Sequence, residues 1–272
     1  MHLNFQNYKR VFAFGCSFTS YLWPTWADII ANECDNAKFY NFGRSAAGNL
    51  AIACKIAEAQ NIFNFDQDDL VIVMWSSYTR EDRWVESKWL VGGNVYSNSL
   101  YDEKFLKKYA DPLGYLVRDL GLIYNTHRML QSLNCEKLEL FSYSLRAKLD
   151  EGLPIDDMGR YLKLRGSYDN FVTNHINKNT SLWDYLKTYT DVTTRGHTFV
   201  HTYEETASHD PHPNTQVYYD YLKHVGINLS GKSELFVNNC MEKLKLCNTH
   251  HDLLTTFFEH QNRIDESFVH LM

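Results

Sequence analysis

Three residue types that together can activate a hydroxyl group occur in an informative order along the chain. Ser17 follows a short apolar run, within a Gly-Cys-Ser motif near the N-terminus, and Asp210 and His212 lie close together far downstream. A serine hydroxyl is a weak nucleophile until an imidazole accepts its proton, and a carboxylate holds that imidazole in the required tautomer. We therefore predict Ser17 as a nucleophile, His212 as its general base and Asp210 as the residue that orients His212.

The elements predicted between these residues alternate between strand and helix. Continuous apolar runs are typical of strands buried on both faces, and apolar residues at helical spacing predict helices that cover such strands. The predicted strands are Val11–Phe14, Lys38–Phe42, Asp69–Trp75 and Lys137–Tyr143. The predicted helices are Trp23–Glu33, Ala46–Phe63, Leu113–Leu133 and Asn214–Val225. This order predicts an α/β protein with a flavodoxin-like three-layer α/β/α arrangement around a central parallel sheet.

We interpret residues 1–226 as one α/β domain and residues 227–272 as a helical C-terminal extension packed on it. Two stretches exceed the minimal alternating pattern: about 78–111, rich in Trp, Tyr and Arg, and about 145–194, polar with a predicted helix at Leu182–Tyr189. Both are interpreted as insertions over the carboxyl edge of the sheet, because ligands bind at that edge in such folds.

Charge and hydropathy exclude several classes of partner. The formal charge is -6, and the 27 Lys and Arg residues are scattered, which argues against binding to a phosphate backbone. The first ten residues carry no signal-peptide pattern, and no apolar run approaches the ~18 residues that a membrane span needs. The sequence therefore predicts a cytoplasmic protein with neither a nucleic-acid nor a membrane partner.

The motifs around these residues resemble those of the SGNH/GDSL hydrolase superfamily, and in particular its divergent members with Gly-Cys-Ser-Phe-Thr that bacteriophages often carry. Gly15–Thr19 stands where the family has Gly-Asp-Ser, Asn41–Ala46 resembles the second block, and Asp210–Asn214 resembles the fifth. The resemblance covers about residues 10 to 226. It implies a serine esterase in which Ser17 is nucleophile and backbone oxyanion donor, with His212 as base and Asp210 behind it.

The chain departs from that family pattern at three points. An asparagine amide usually completes the oxyanion hole after the central strand, where this chain has Trp75–Tyr78, and losing such a donor can reduce turnover about a hundred- to a thousandfold. The second-block glycine appears as Ala46, and one residue rather than two separates Asp210 from His212. The candidate oxyanion donors, through backbone or side chain, are Ser17, Gly43, Ala46, Asn49, Ser76 and Ser77.

Aromatic and arginine residues flank the proposed nucleophile in the sequence. The candidate substrate-binding residues are Trp23, Tyr78, Arg80 and Trp84. Such side chains can stack on sugar rings, or they can pack a large insertion against the sheet, and both readings stay open. The expected substrate is a small-molecule or carbohydrate ester, and no cofactor is expected.

The cysteines and remaining histidines suggest no second chemistry. The six cysteines contain no Cys-x-x-Cys motif, and the spacing of Cys240, Cys247, His250 and His251 matches no usual structural zinc pattern. We interpret these cysteines as apolar residues on a C-terminal helix and expect no metal ion. Cys16 is expected to be buried, and no role is assigned to His197, His201 or His209.

Three functions remain compatible with these residues. A serine hydrolase that forms an acyl-Ser17 intermediate is the first, and an acyltransferase with the same three residues differs only in its acceptor. The third is a binding or accessory protein on the same scaffold whose hydrolytic machinery has decayed. The sequence carries no signal for the oligomeric state.

Overall fold

The computed structural model shows an α/β architecture whose described residues are 3, 5–96, 100–143, 145, 166, 168–171, 174–175, 180–189, 200–203, 208–247 and 249–258. The strands are β1 Arg10–Phe14, β2 Lys38–Asn41, β3 Asp69–Trp75, β4 Arg80–Val85, β5 Lys88–Asn94, β6 Glu136–Phe141, β7 Val200–Tyr203 and β8 Ser208–Pro213. The helices are α1 Trp26–Glu33, α2 Asn49–Phe63, α3 Glu103–Tyr109, α4 Pro112–Ser132, α5 Leu182–Tyr189, α6 Thr215–His224, α7 Gly231–Lys245 and α8 His250–Thr256. Short helical turns also occur at Phe5–Asn7 and Asp169–Phe171.

The central sheet has four parallel strands in the order β2-β1-β3-β6. Every residue of β3 is buried, as the uninterrupted apolar run predicts. Because β1 and β3 are the inner strands, Ser17, which follows β1, lies at the middle of the carboxyl edge of the sheet. The predicted α/β fold with a central parallel sheet is confirmed.

Helices cover the two faces of this sheet in separate groups. Side chains alternate along β1, so Phe12 and Phe14 share one face, and Phe12 contacts Phe63 of α2 with ring centroids 5.0 Å apart. Helix α2 packs against α4 on that side. Helices α1, α6 and α7 pack against one another, and the fully buried Val11 and Ala13 face this second group. The result is the three-layer arrangement that the alternating pattern predicts.

Two predicted helices begin later than expected. Helix α1 begins at Trp26 rather than Trp23, because Thr25 and Asp28 form a capping box there. Helix α2 begins at Asn49 rather than Ala46, because Ala46 has φ 66° and a left-handed residue cannot continue a right-handed helix. The residues before each helix are thus free to form turns at the carboxyl edge of the sheet.

The first insertion is a β-hairpin followed by a short helix. Strands β4 and β5 pair antiparallel, and β4 packs against α2. Most of the second insertion lies outside the described residues, but α5 has the predicted bounds Leu182–Tyr189, and the Trp183 N–H donates to the carbonyl of Ser142 (2.9 Å).

The C-terminal extension is helical over its described part, as predicted. Helix α7 packs against α1 and α6, and a second apolar cluster joins it to α8. The fully buried members of that cluster include Trp23 and Phe257, which come from opposite ends of the sequence. Among the described residues, no helix is both long and apolar enough to cross a membrane.

Candidate active site

Ser17 lies in a tight turn directly after β1. The N–H groups of Thr19 and Ser20 both donate to the carbonyl of Cys16, at 2.9 and 3.2 Å. Position 15 requires glycine because neighbouring atoms leave no room for a side chain. A Cβ atom there would lie 2.0 Å from Thr19 Oγ1 and 3.0 Å from the carbonyl oxygen of Met74. Cys16 is fully buried, as expected, and the turn leaves Ser17 5% exposed.

The structure brings Ser17 and His212 together across 195 residues of sequence. Ser17 Oγ lies 2.7 Å from His212 Nε2, which is the distance of a direct hydrogen bond. Serine deprotonation by an imidazole needs this contact. The two side chains that the sequence analysis selected are therefore in contact, and their roles as nucleophile and base remain a prediction.

Aromatic side chains hold the imidazole of His212 in place. The ring of Tyr21 stacks on it, with centroids 3.7 Å apart and an interplanar angle of 18°. Phe18 contacts the same imidazole at 5.2 Å. Two hydrogen bonds also join residues 23–24 to residues 213–215. Trp23 Nε1 donates to the carbonyl of Pro213 (2.8 Å), and Thr215 Oγ1 donates to that of Pro24 (2.8 Å).

Tyr21 is a site residue that the sequence analysis missed, since no motif marks a tyrosine that stacks on a distant histidine. Asp210 belongs by its backbone to β8, two residues before His212. Its side chain lies outside what the structure describes, as do the side chains of His201 and His209 and the whole of His197.

The loop between β2 and α2 contains Asn41–Ala46, the segment that the sequence analysis compared with a second block; it is called the second-block loop below. Asn41 anchors it, because its amide donates to the carbonyl of Thr19 (3.0 Å) and its Oδ1 accepts from the N–H of Gly43 (2.9 Å). That bond uses the Gly43 N–H, so the prediction of Gly43 as an oxyanion donor is not supported by this geometry. Ala46 has the left-handed φ of 66°, a backbone conformation that glycine adopts more readily than alanine.

Asn49 is fully buried and serves a structural role. Its amide nitrogen donates to the carbonyl of Ser76 (3.0 Å) and to Asp119 Oδ2 (2.7 Å), while its Oδ1 accepts from the N–H of Ser76 (2.7 Å). Both amide hydrogens are therefore used inside the protein, and the predicted oxyanion role of Asn49 is corrected. The Ser77 hydroxyl is half-buried and lies 2.9 Å from Thr79 Oγ1, a contact in which either hydroxyl can be the donor.

Helix α2 has no side-chain cap of its own, and the hairpin supplies one. Asp82 of β4 accepts from the N–H groups of Gly48 (2.9 Å) and Ala51 (3.0 Å), which are two of the unpaired donors of the first turn. Burial raises the pKa of Asp82, whereas these two N–H groups act to lower it. Asp82 of the first insertion thus stabilises the start of α2, the helix that follows the second-block loop.

A second buried carboxylate lies behind Asn49. Asp119 of α4 accepts from Asn49 and from Arg118 Nε (2.7 Å), and Arg118 also donates to the carbonyl of Arg80 (2.7 Å). Burial raises the pKa of Asp119 to about 6, against the opposing effects of Arg118 and Asn49. These bonds link α4 and the hairpin to the end of β3.

The four predicted substrate-binding residues have different positions. Arg80 Nη1 donates to the carbonyl of Ala47 (2.8 Å), so Arg80 lies against the second-block loop, and Tyr78 is half-buried beside the core. Trp84 is 53% exposed near the turn of the hairpin, four residues from Arg80, which is about 13 Å along an extended strand. Trp23 is 1% exposed, so its predicted role as a substrate-binding surface is wrong: it packs in the second cluster and supports Pro213.

The predicted apolar role of two C-terminal cysteines is confirmed. Cys240 and Cys247 are buried in the second cluster with Trp23, Leu244 and Leu253. The Cys247 thiol donates to the carbonyl of Lys243 (3.3 Å), one turn earlier in α7. These cysteines therefore pack a helix onto the back of the site.

Similarity to known proteins is found among solved structures. No protein-family model matches the chain, and no curated protein matches it. A member of the lipolytic G-D-S-L family from Veillonella parvula is similar at 15% identity, with a TM-score of 0.39, over 81% of this chain and 99% of that one. A GDSL-like lipase from Bacteroides thetaiotaomicron is similar at 13% identity, with a TM-score of 0.35, over 85% of this chain and 88% of that one.

Proposed function

We propose that the chain is a serine hydrolase of the SGNH/GDSL type that cleaves a carboxylic ester. The observation that carries this proposal is the contact of 2.7 Å between Ser17 Oγ and His212 Nε2, at the carboxyl edge of a parallel sheet. A serine that simply caps a helix does not require an imidazole at hydrogen-bond distance on its hydroxyl. The motif resemblance of residues 15–19, 41–46 and 210–214 supports the same assignment.

The reaction follows from the roles of these groups. His212 Nε2 accepts the hydroxyl proton as Ser17 Oγ attacks the ester carbonyl, and it returns that proton to the departing alcohol. The acyl group is then bound to Ser17, and water, activated by the same imidazole, releases it as a carboxylic acid. We assign Asp210 as the carboxylate that orients His212, because it lies two residues before His212 in the same strand and because the motif resemblance gives it this role.

The negative charge of the tetrahedral intermediate needs donors over the serine. We assign the backbone N–H groups of Ser17 and Ala46 to this role, with the Ser77 hydroxyl as the side-chain donor. Gly43 and Asn49 are left out because their donors bind Asn41, Ser76 and Asp119. Tyr78 and Arg80 lie on the side of the second-block loop, and we propose that they contact the acyl or alcohol part of a small-molecule or glycan ester.

The commitment of Asn49 to structural bonds favours a second candidate. A scaffold that lacks the usual asparagine donor could bind esters or glycans without cleaving them. An acyltransferase differs from the hydrolase only in using an alcohol acceptor in place of water. Ester hydrolysis by the wild type compared with Ser17→Ala distinguishes the hydrolase from the binding protein. Acyl transfer to added alcohols identifies the acyltransferase.

The test compares ester hydrolysis by the wild-type protein, Ser17→Ala and His212→Ala, using p-nitrophenyl esters of several chain lengths. We expect each variant to lose up to about six orders of magnitude in kcat, because nucleophile and base act as a unit. Ser20→Ala in the same turn is the matched control and should retain activity. A phosphonate probe should label the wild type and Ser20→Ala but not Ser17→Ala, and wild-type rates equal to those of Ser17→Ala would support the binding protein.

A further inference from the structure

Two histidines and a glutamate converge between α4 and the outer strand β6. His127 belongs to α4, Glu139 to β6, and His175 to the second insertion. His127 Nδ1 lies 2.6 Å from Glu139 Oε1, and His175 Nε2 lies 3.3 Å from the same oxygen. These three donor atoms all lie within 4.8 Å of one another.

The glutamate of this cluster is buried in the middle of a strand. Its side chain is 2% exposed, and Trp75 Nε1 donates to its second oxygen, Oε2, at 3.0 Å. One carboxylate oxygen is thus oriented by the indole, and the other faces two imidazoles.

Ring packing restricts the orientation of both histidines. Their imidazole centroids lie 4.1 Å apart, and Phe171 stacks on His175 at 5.2 Å with an interplanar angle of 21°. The side chains of His127 and His175 are 16% and 26% exposed, whereas the Nε2 atom of His175 is itself buried. Preoriented donor atoms favour the binding of a metal ion, because little order has to be created when the ion binds.

We propose that His127, Glu139 and His175 bind a divalent transition-metal ion, and that zinc fits this donor set best. Zinc binds imidazole nitrogen and carboxylate oxygen at about 2.0–2.2 Å, so tetrahedral ligands lie about 3.4 Å apart. The His175–Glu139 separation of 3.3 Å already matches that spacing, and the His127–Glu139 separation of 2.6 Å needs to open by less than 1 Å. The indole of Trp75 supplies the outer hydrogen bond that typically orients a ligating carboxylate.

The ion would tie the second insertion to the sheet. Its ligands come from a helix, a strand and a separate segment, and three protein ligands leave one position for water. This proposal revises the expectation of a protein without a metal ion, and it does not depend on the hydrolase assignment.

The test uses the whole protein after treatment with a chelator. We expect calorimetric titration to show one equivalent of zinc bound, and zinc at about 100 times its Kd to raise Tm by about 5 °C or more. His175→Phe keeps the ring that stacks on Phe171 but removes the ligand atom, so binding should be lost. His224→Phe is the matched control, because this exposed histidine also contacts an aromatic ring, that of Tyr185 (4.9 Å), and it should bind zinc like the wild type.

A second variant keeps the test informative if His175→Phe fails to fold. Glu139→Gln keeps an acceptor for Trp75 but removes the charge, and it should weaken zinc binding at least about tenfold. Cobalt gives an independent readout, because its visible spectrum changes when imidazole and carboxylate bind it. Absence of zinc binding by the wild type, or equal binding by His175→Phe, Glu139→Gln and His224→Phe, would overturn the proposal and leave a hydrogen-bonded His-Glu-His cluster.

Discussion

The two sides of the candidate active site are held in place by different forces. The serine side, residues 15–25 and 212–215, is fixed by backbone hydrogen bonds, ring stacking on His212 and the indole bond of Trp23. The loop side, residues 41–49, is fixed by the hydrogen bonds of Asn41 and by two buried carboxyl groups outside it: Asp82 binds its helix, and Asp119 binds Asn49. The serine side contains Ser17 and His212 at hydrogen-bond distance, whereas the loop side contains Ala46 in left-handed geometry.

This difference shows that a carboxylate from another segment stabilises the start of α2 in place of a local side-chain cap. The loop side contains a residue in left-handed geometry and a helix without its own side-chain cap. The hairpin inserted after β3 provides the missing cap through Asp82. We therefore expect the loop side to respond to changes of charge and pH, and the serine side to respond to changes of ring shape.

The largest effect on stability is expected from removing the charge that caps α2. Asp82→Ala leaves the buried N–H groups of Gly48 and Ala51 without their acceptor, and should reduce the free energy of unfolding by about 3–5 kcal/mol. Tm should fall by about 10 °C. Asp102→Ala is the matched control, because Asp102 caps α3 in an exposed position and should cost only about 1 kcal/mol. Equal losses in the two variants would remove the distinction between the sides.

The pH dependence of stability tests the second buried charge. Burial raises the pKa of Asp119 from 3.8 to about 6, so its favourable contribution is complete below about pH 4 and is lost as pH rises through 6. Asp119→Asn mimics the protonated acid and lacks this titration. From pH 4 to pH 7, the wild type should therefore lose up to about 3 kcal/mol of unfolding free energy relative to Asp119→Asn. Denaturant titrations across this range measure the difference, and parallel curves for the two proteins would contradict it.

Ring shape is the corresponding probe of the serine side. Tyr21→Ala removes the ring that stacks on His212 and should lower kcat/KM for an ester about tenfold, since an aromatic contact is worth up to about 1.5 kcal/mol. Tyr21→Phe preserves the stacked ring and should stay close to the wild-type rate. A similar loss in both variants would assign the effect to the hydroxyl group instead.

The smallest effect concerns the left-handed residue on the loop side. Ala46→Gly relieves the unfavourable contact of a Cβ atom at φ 66° and should stabilise the fold by about 1 kcal/mol. Ala47→Gly is the matched control from the next position, where φ is not positive, and it should destabilise by about 0.5–1 kcal/mol. Thermal unfolding of the pair should show opposite signs, and equal signs would mean that the loop carries no strain at Ala46.

The sequence predicted the sheet and the chemical pair because both depend on local patterns. The buried run of β3 and the motif around Ser17 are readable in a few adjacent residues, and the order of the motifs supplied His212. The start of α2 was predicted too early because alanine favours helices, and nothing local shows that Ala46 is left-handed.

The missed features are all contacts between distant segments. Asp82 caps a helix more than thirty residues away in sequence, and Trp23 was predicted at the surface because its partners lie near the other end of the chain. Glu139 was the one available signal for the metal-binding cluster, because a charged residue inside an apolar strand needs a partner. Its two histidine partners are separated from each other by 48 positions and share no motif with it.

The 195 residues between Ser17 and His212 have a consequence for synthesis on the ribosome. At about 5–20 residues per second, roughly 10 to 40 s pass between the synthesis of Ser17 and that of His212. Throughout that interval the serine is an ordinary alcohol, and Trp23 lacks the α7 and α8 side chains that cover it. The nascent polypeptide therefore has no activated serine during this interval. A change in the fluorescence of Trp23 would report when the C-terminal helices pack against it.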